Sequence, residues 1–252
     1  MFGQNKIICI AGKNECAVEF IRFASTKISK KNILILTNKS DNGKDNWQPS
    51  LKKFAKENKY KLIKIKDLYD INNLIFISIE YESIINTHKF LSKELFNFHF
   101  SLLPKYRGCH TNFFQIYNGE KLSGVTLHKI DNGIDTGPII DQLKFTINKN
   151  STAFDNYNIL MKTSIKLFKK NFIKIISAHY KTRKQILSKG SYYSRKSIDY
   201  NKMKYFSLKK INLKHFNQIK AFIFPPLQLP VLNNKKISSI KFINNNFKII
   251  YD

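Results

Sequence analysis

The chain has 252 residues, enough for a full hydrophobic core in one large domain or in one domain with a small appendage. Its 42% hydrophobic and 13% aromatic content excludes an intrinsically disordered protein, and no apolar run reaches the roughly 18 residues of a membrane span. The net charge of +27 comes almost wholly from dispersed lysines, with arginine only at Arg22, Arg107, Arg183 and Arg195; such a field attracts anions without marking a nucleic-acid groove.

The N-terminal run MFGQNKIICIAGK has no basic stretch ahead of an apolar one, so no secretory signal and a cytoplasmic location are expected. Lys6–Gly12 is a short apolar run ending in glycine, the pattern of a buried strand. ECAVEFIRFASTKI follows with helical spacing of its apolar residues. Asn32–Thr37 reads as a second buried strand, and WQPSLKKFAKENK as a helix with Pro49 near its start. YKLIKI, NLIFISIEY and KELFNFHF read as further strands. Strands alternating with helices predict a Rossmann-like, doubly wound, mostly parallel α/β sheet.

TNFFQIYNG predicts a helix stopped by Gly119. SGVTLHKI and GPIIDQLKFTI predict two antiparallel strands joined by the loop DNGIDTG. The stretch from Ser151 to His179 predicts one long amphipathic helix, with Ser151 or Thr152 as its cap. A polar, turn-rich stretch then suggests a boundary near residue 190. The expected domains are 1–190, catalytic, and 191–252, a small C-terminal α+β region with a terminal hairpin around Asn244–Asn246. Cys9, Cys16 and Cys109 sit in no metal-ligand spacing, so reduced thiols and no metal are expected.

The stretch Asn97–Gly108, NFHFSLLPKYRG, carries the chemistry. Residues two apart on a strand project from one face, so Asn97 and His99 meet at the carboxyl end of their strand, where open α/β sheets bind ligands. The loop DNGIDTG adds Asp131 and Asp135. An amide, an imidazole and a carboxylate can run acyl transfer to an amine. The amide N–H stabilises an oxyanion, the imidazole accepts the proton of the attacking amine, and the carboxylate orients the imidazole. With no serine paired to a histidine at elbow spacing, direct transfer is favoured over an acyl-enzyme. On spacing alone, a satisfied core histidine at 99 and a turn asparagine at 97 explain the pattern equally well.

NFHFSLLPKYRG followed by DNGIDTGPII resembles the signature of the folate-dependent formyltransferases. That pattern is Asn-x-His-x-Ser-Leu-Leu-Pro with an aspartate about 36 residues after the histidine, and here Asp135 stands 36 residues after His99. The resemblance implies that Asn97, His99 and Asp135 form the catalytic trio and that Ser101 to Pro104 form the family's loop. IAGKNECAV, NWQPSLKKFAKEN, IFISIEYESIIN, GVTLHKIDNGIDTG and KAFIFPP look like the branch that formylates nucleotide-linked aminodeoxysugars for bacterial surface polysaccharides such as O-antigen lipopolysaccharide. It implies 10-formyltetrahydrofolate as donor, a dTDP-linked amino-dideoxyhexose as acceptor, and a homodimer formed through the C-terminal strands. The 4-amino-4,6-dideoxyglucose acceptor is the first expectation and the 3-amino sugar the second.

By that analogy the folate touches Ser101, Leu102, Ile130, Asp131 and Gly133. Cys109, His110 and Thr111 lie near the attacked amine. Tyr193, Phe222 and Phe224 are candidates to stack on the base, with a core role for the two phenylalanines as the alternative. Arg195 and Lys196 are candidates for the pyrophosphate, with a solvated pair as the alternative; Lys13 and Asn14 come next. The rival readings are a methionyl-tRNA formyltransferase, which carries a larger C-terminal domain, and a non-catalytic nucleotide- or RNA-binding module.

Overall fold

A computed structural model describes residues 6–252, so the first five residues, on which part of the secretory-signal reading falls, lie outside the described residues. In chain order the elements are β1 (Ile7–Gly12), α1 (Asn14–Ser25), β2 (Ile33–Thr37), α2 (Leu51–Glu57), β3 (Lys61–Leu62), β4 (Leu74–Ile79), β5 (Leu95–His99), β6 (Arg107–Gly108), α3 (Thr111–Tyr117), β7 (Leu122–Lys129), β8 (Ile139–Thr146), α4 (Ala153–Ile176), β9 (Tyr192–Tyr193), α5 (Tyr200–Met203), β10 (Tyr205–Phe206), α6 (Leu213–Phe222), β11 (Val231–Leu232), β12 (Lys235–Ile243) and β13 (Asn246–Tyr251). They form two compact units. The first holds the chain up to His99, Val125–Leu143 and Met161–Ser188; the second holds Phe100–Gly124, Lys144–Leu160 and Lys189–Asp252.

A seven-stranded sheet dominates the first unit, in the order β3-β2-β1-β4-β5-β7-β8. The strands from β3 through β5 are all parallel, and β7 runs antiparallel to β5. Alternate residues of β1 go to opposite faces. Cys9 and Ala11 pack with Leu34, Leu36, Phe76 and Leu95 on one side; Ile8 and Ile10 are equally buried on the other. That two-sided burial is what a central parallel strand requires. On the second side Phe20 of α1 stacks on Phe168 of α4 at 3.9 Å and meets Phe98 of β5 edge-on at 4.9 Å. Each such buried ring contributes about 1.5–3 kcal/mol relative to exposure. Asn97 and His99 therefore project from the opposite face to Phe98.

The strand expected over YKLIKI shrinks to Lys61–Leu62. Asp67 accepts the Lys64 amide at 2.9 Å and starts a 3-10 turn over Ile65–Leu68, which buries Leu68 instead of continuing the ladder.

In the second unit α6 lays Phe216, Ile219 and Ile223 on Ile237 and Ile240 of β12. The four strands β10-β11-β12-β13 form a small sheet, antiparallel between β11 and β13. Its two hairpin turns use Asn233–Asn234 and Asn244–Asn245, all with positive φ, the conformation asparagine tolerates in tight hairpins. Besides Lys189–Asp252, two earlier segments, Phe100–Gly124 and Lys144–Leu160, join this unit. The reason is apolar: Phe113, Phe114 and Ile116 of α3 share a cluster with Ala221 and Phe222 of α6. β6 and β9 add a parallel pairing of Arg107 with Tyr192 and Gly108 with Tyr193 that sequence periodicity did not reveal. Gly108 sits at φ +88°, and a Cβ there would stand 2.2 Å from the Tyr193 carbonyl oxygen, so only glycine fits.

Candidate active site

In the first unit β5 delivers the motif. Asn97 pairs with Ser78 of β4 on one side and His128 of β7 on the other, and His99 pairs with Thr126. The loop after β7 brings Asp135 back over them. Its stem closes through the Lys129 amide donating to the Pro138 carbonyl at 3.0 Å and the Ile130 amide donating to Leu95 at 2.8 Å. Gly137 passes so close to Lys129 that a Cβ would lie 1.9 Å from its carbonyl oxygen. Within the loop Asp131 Oδ1 accepts the Gly133 amide at 3.1 Å and the Thr136 hydroxyl at 2.7 Å. Asp135 is held at φ +54°.

The expected trio is assembled. Asn97 Nδ2 donates to Asp135 Oδ1 at 3.2 Å, and His99 Nδ1 lies 3.4 Å from Asp135 Oδ2. The side chains of His99 and Asp135 are 8% and 12% exposed, so the carboxylate acts in a low-dielectric setting. A carboxylate on the Nδ1 side favours the proton there, which makes Nε2 the nitrogen able to act as a base.

The structure places in this cluster two residues that the sequence did not single out as functional. His128 is 2% exposed; its Nε2 lies 3.2 Å from Asn97 Nδ2 and 3.5 Å from Asp135 Oδ1. Gln185 donates from Nε2 to the backbone carbonyls of Asp135, at 2.9 Å, and Gly137, at 2.7 Å. His128 was findable as the last buried position of its strand before an aspartate-rich loop; Gln185 had no sequence signal. At the loop stem Lys129 Nζ donates to Glu94 and to the Tyr180 hydroxyl, each at 3.0 Å, and the Tyr180 hydroxyl donates back to Glu94 at 2.5 Å. Burial and the Glu94 carboxylate together keep the Tyr180 phenol protonated.

Of the expected folate contacts in this unit, Ile130 is half-buried against the Leu95 cluster, Gly133 is exposed, and Asp131 has its Oδ1 committed to the loop. Lys13 and Asn14 stand at the start of α1 beside carboxylates: Asn14 Nδ2 donates to Glu80 Oε2 at 3.2 Å, and Lys13 favours the ionised form of Glu82. Two carboxylates make this a poor pyrophosphate site.

The second unit holds the other candidates. Ser101 is fully buried and its hydroxyl donates to the Lys105 carbonyl at 2.7 Å, which holds the turn. Leu102 remains half-exposed on that turn. Phe222 is 1% exposed and packs edge-on to Phe113 at 4.9 Å; Phe224 is 6% exposed, against Phe154 and Tyr157. Neither ring has a free face, so both are core residues and not base-stacking platforms. Tyr193 stacks on Phe114 at 3.8 Å, and its hydroxyl accepts from Asn118 at 3.0 Å. Arg195 and Lys196 are exposed in a 3-10 turn. His110 sits at φ +57° before α3, with Cys109 half-buried and Thr111 buried beside it. Its Nε2–H donates to the Arg195 carbonyl and its Nδ1 accepts from the Tyr200 hydroxyl, both at 3.2 Å. Both ring nitrogens of His110 are thus engaged, and burial lowers its pKa from the ordinary histidine value. Tyr200 was not singled out in the sequence; burial raises its pKa strongly.

Among the described residues no group of histidine, cysteine and carboxylate side chains could hold a metal ion, and no helix is long and apolar enough to cross a membrane.

Known proteins resemble this chain over most of its length. WlaRD, a sugar 3N-formyl transferase crystallised in the presence of dTDP and 5-N-formyl-THF, superposes with a TM-score of 0.89 and 46% identity, covering 95% of this chain and 87% of that one. The N-formyltransferase from Helicobacter canadensis, in complex with folinic acid and dTDP-3-aminofucose, superposes with a TM-score of 0.89 and 43% identity, covering 95% and 88%. A methionyl-tRNA formyltransferase from Thermodesulfovibrio yellowstonii is 34% identical over 161 residues, which are 58% of this chain and 52% of that protein. The chain thus spans about half the length of that curated relative, and 25% of the bifunctional polymyxin resistance protein ArnA of Wigglesworthia glossinidia brevipalpis. Residues 5–171, which include Asn97, His99 and Asp135, match the family described as formyl transferase. The chain belongs to the formyl transferase family.

Proposed function

We propose that this chain moves the formyl group of 10-formyltetrahydrofolate to the amine of a dTDP-linked amino-dideoxyhexose. The observation that carries the chemistry is the Asn97–His99–Asp135 cluster, with His99 buried and the other two half-buried. The substrate class is supported by the two relatives at 46% and 43% identity, whose structures hold dTDP or a dTDP-sugar with a folate. Both carry a 3-amino or 3N designation, whereas a 4-N formyltransferase from Francisella tularensis is only 23% identical. The 3-amino sugar therefore replaces the 4-amino sugar as first choice.

The neutral amine attacks the formyl carbon, and its carbonyl electrons move to oxygen. An Asn97 N–H stabilises that oxyanion. His99 Nε2 takes the amine's proton, and Asp135 stabilises the imidazolium on the Nδ1 side. Collapse re-forms the carbonyl and expels tetrahydrofolate N10, which takes back the proton from His99. The products are a formamido sugar and tetrahydrofolate, with no acyl-enzyme and no metal required.

For the nucleotide sugar the remaining candidates are Arg195, Lys196 and Tyr193, with Cys109, His110 and Thr111 nearest the motif in sequence; for folate they are Leu102, Ile130, Asp131 and Gly133. The homodimer expected through the C-terminal strands is retained as part of this reading: β13 is an edge strand, and Ile243, Ile250 and Tyr251 are 45%, 49% and 46% exposed. The second reading is a methionyl-tRNA formyltransferase, favoured by the 34% identical relative.

The test is an assay of the purified chain with 10-formyltetrahydrofolate against dTDP-linked 3-amino and 4-amino dideoxyhexoses and initiator methionyl-tRNA. The expected result is tetrahydrofolate release and a product heavier by one carbonyl with the 3-amino sugar. Turnover with the tRNA and with neither sugar would overturn the reading.

A further inference from the structure

His128 has no role in the steps above, yet it touches two members of the cluster. Its Nδ1 lies 2.7 Å from the Lys129 carbonyl oxygen, which can only accept, so Nδ1 carries the proton. The role of Nε2 is set by what faces it. The group 3.2 Å from it is the Asn97 amide nitrogen, which can only donate. The second N–H of the same amide goes to Asp135 Oδ1. Both amide hydrogens are therefore committed, and an oxyanion must take one of them.

Which one is released follows from what holds each acceptor. His128 lies on β7, in register with Asn97, with a 2% exposed side chain pinned through Nδ1. Asp135 lies on a loop, and its other oxygen faces His99. When His99 becomes an imidazolium, the carboxylate gains a cationic donor at Nδ1, and its bond to a neutral amide becomes the weaker of the two. The N–H facing Asp135 is freed as charge develops on the formyl oxygen. The remaining N–H···Nε2 bond then keeps the amide nitrogen, and not its oxygen, toward the reaction. A flipped amide would set its oxygen against the Nε2 lone pair. The charged and titratable groups around the His128 ring are Asp135 at 3.5 Å and His99, with ring centroids 6.4 Å apart; Lys129 turns its ammonium to Glu94.

We infer that His128 is a positioning residue for formyl transfer: through its bare Nε2 it fixes the orientation of the Asn97 amide while Asp135 turns to the His99 imidazolium. The inference rests on the proposed formyl transfer, and its test separates the two. Imidazole nitrogen NMR on the wild type reads the tautomer without any turnover. The expected result is His128 protonated at Nδ1, with an Nε2 resonance that shifts in Asn97→Ala; a proton on Nε2 would overturn the inference. Kinetics follow with His128→Phe, which keeps the volume and removes the acceptor, and His128→Gln, whose carbonyl reaches the Nε2 position. His128→Phe should lose about 10²-fold in kcat, the scale of a misplaced catalytic group, with KM for both substrates unchanged, and His128→Gln should retain most of the activity. The double variant Asn97→Ala with His128→Phe should be no slower than Asn97→Ala alone, because the two act as one unit. Additive losses, or equal losses in the Gln and Phe variants, would overturn it. If His128→Phe melts before assay, the Gln variant and the tautomer still decide. A wild type with no formyl transfer to any acceptor sinks the parent reading and the positioning role with it, whatever the tautomer.

Discussion

Asn97 and His128 stand opposite each other across the β5–β7 ladder, with the amide nitrogen of one 3.2 Å from the ring nitrogen of the other. An antiparallel pair places facing side chains close enough to bond directly. The other ring nitrogen of His128 donates to the Lys129 backbone carbonyl at 2.7 Å, outside that pair.

Asn97→Ala should lower kcat by roughly 10²–10³-fold and leave KM for the amino sugar nearly unchanged. An oxyanion donor acts where charge develops and contributes little to the ground state. Steady-state kinetics check this; a change confined to KM would move Asn97 to substrate binding.

Gln185→Ala removes both donors from the backbone of the Asp135 loop, at Asp135 and Gly137. Activity should fall by about tenfold or more, because loop registry sets the carboxylate that supports His99. The melting temperature should also fall by several degrees, since the two lost hydrogen bonds contribute about 1 kcal/mol each. An unchanged kcat would show that the loop holds its shape through Asp131 and Thr136 alone.

Arg195→Ala should raise KM for the nucleotide sugar with kcat preserved, as expected for a contact made equally in ground and transition states. Phe222→Ala should behave differently. With its ring 1% exposed, its loss should cost about 3–5 kcal/mol of stability. Kinetics paired with denaturant melts separate the two outcomes; a folded Phe222→Ala variant defective only in nucleotide affinity would restore it as a stacking residue.

Lys220 makes stability depend on pH. Its side chain is 3% exposed in α6, donates to the Lys149 carbonyl and has no carboxylate partner among the described residues, and burial lowers its pKa to about 8 from 10.5. Below pH 8 the ammonium is charged in both states, and the cost of burying it is fully present. Between pH 8 and 10.5 the folded chain holds a neutral amine while the unfolded chain still binds the proton. The unfolded state then binds more protons, and stability rises with pH, by at most about 1.4 kcal/mol per pH unit. Lys220→Met should raise the melting temperature below pH 8 and remove this rise. Parallel pH slopes for the two proteins would count against a depressed Lys220.

Charge should not confer tRNA specificity. With lysines dispersed and arginine scarce, binding to tRNA should be weak and should fall steeply with added salt. Salt-resistant binding selective for initiator tRNA would favour the second reading.

Much of this was legible in the chain itself. Periodicity located β1, β2, β4, β5, α1 and α4, because a strand buried on both faces must be continuously apolar and an amphipathic helix must repeat its apolar positions. Spacing placed Asn97 and His99 on one strand face, a local feature, but it was the resemblance of NFHFSLLPKYRG and DNGIDTGPII to a known signature that joined Asp135 to them as the proposed catalytic trio. What sequence could not decide were relations between segments far apart. Phe222 and Phe224 look like binding aromatics until α3 closes over the first and Phe154 and Tyr157 over the second. Segments 100–124 and 144–160 join the C-terminal unit because the α3 rings need the apolar face of α6. His128 and Gln185 become parts of the site only through strand register and loop return. Those placements come from burial and pairing between distant segments, which the packed chain satisfies as a whole and no local pattern records.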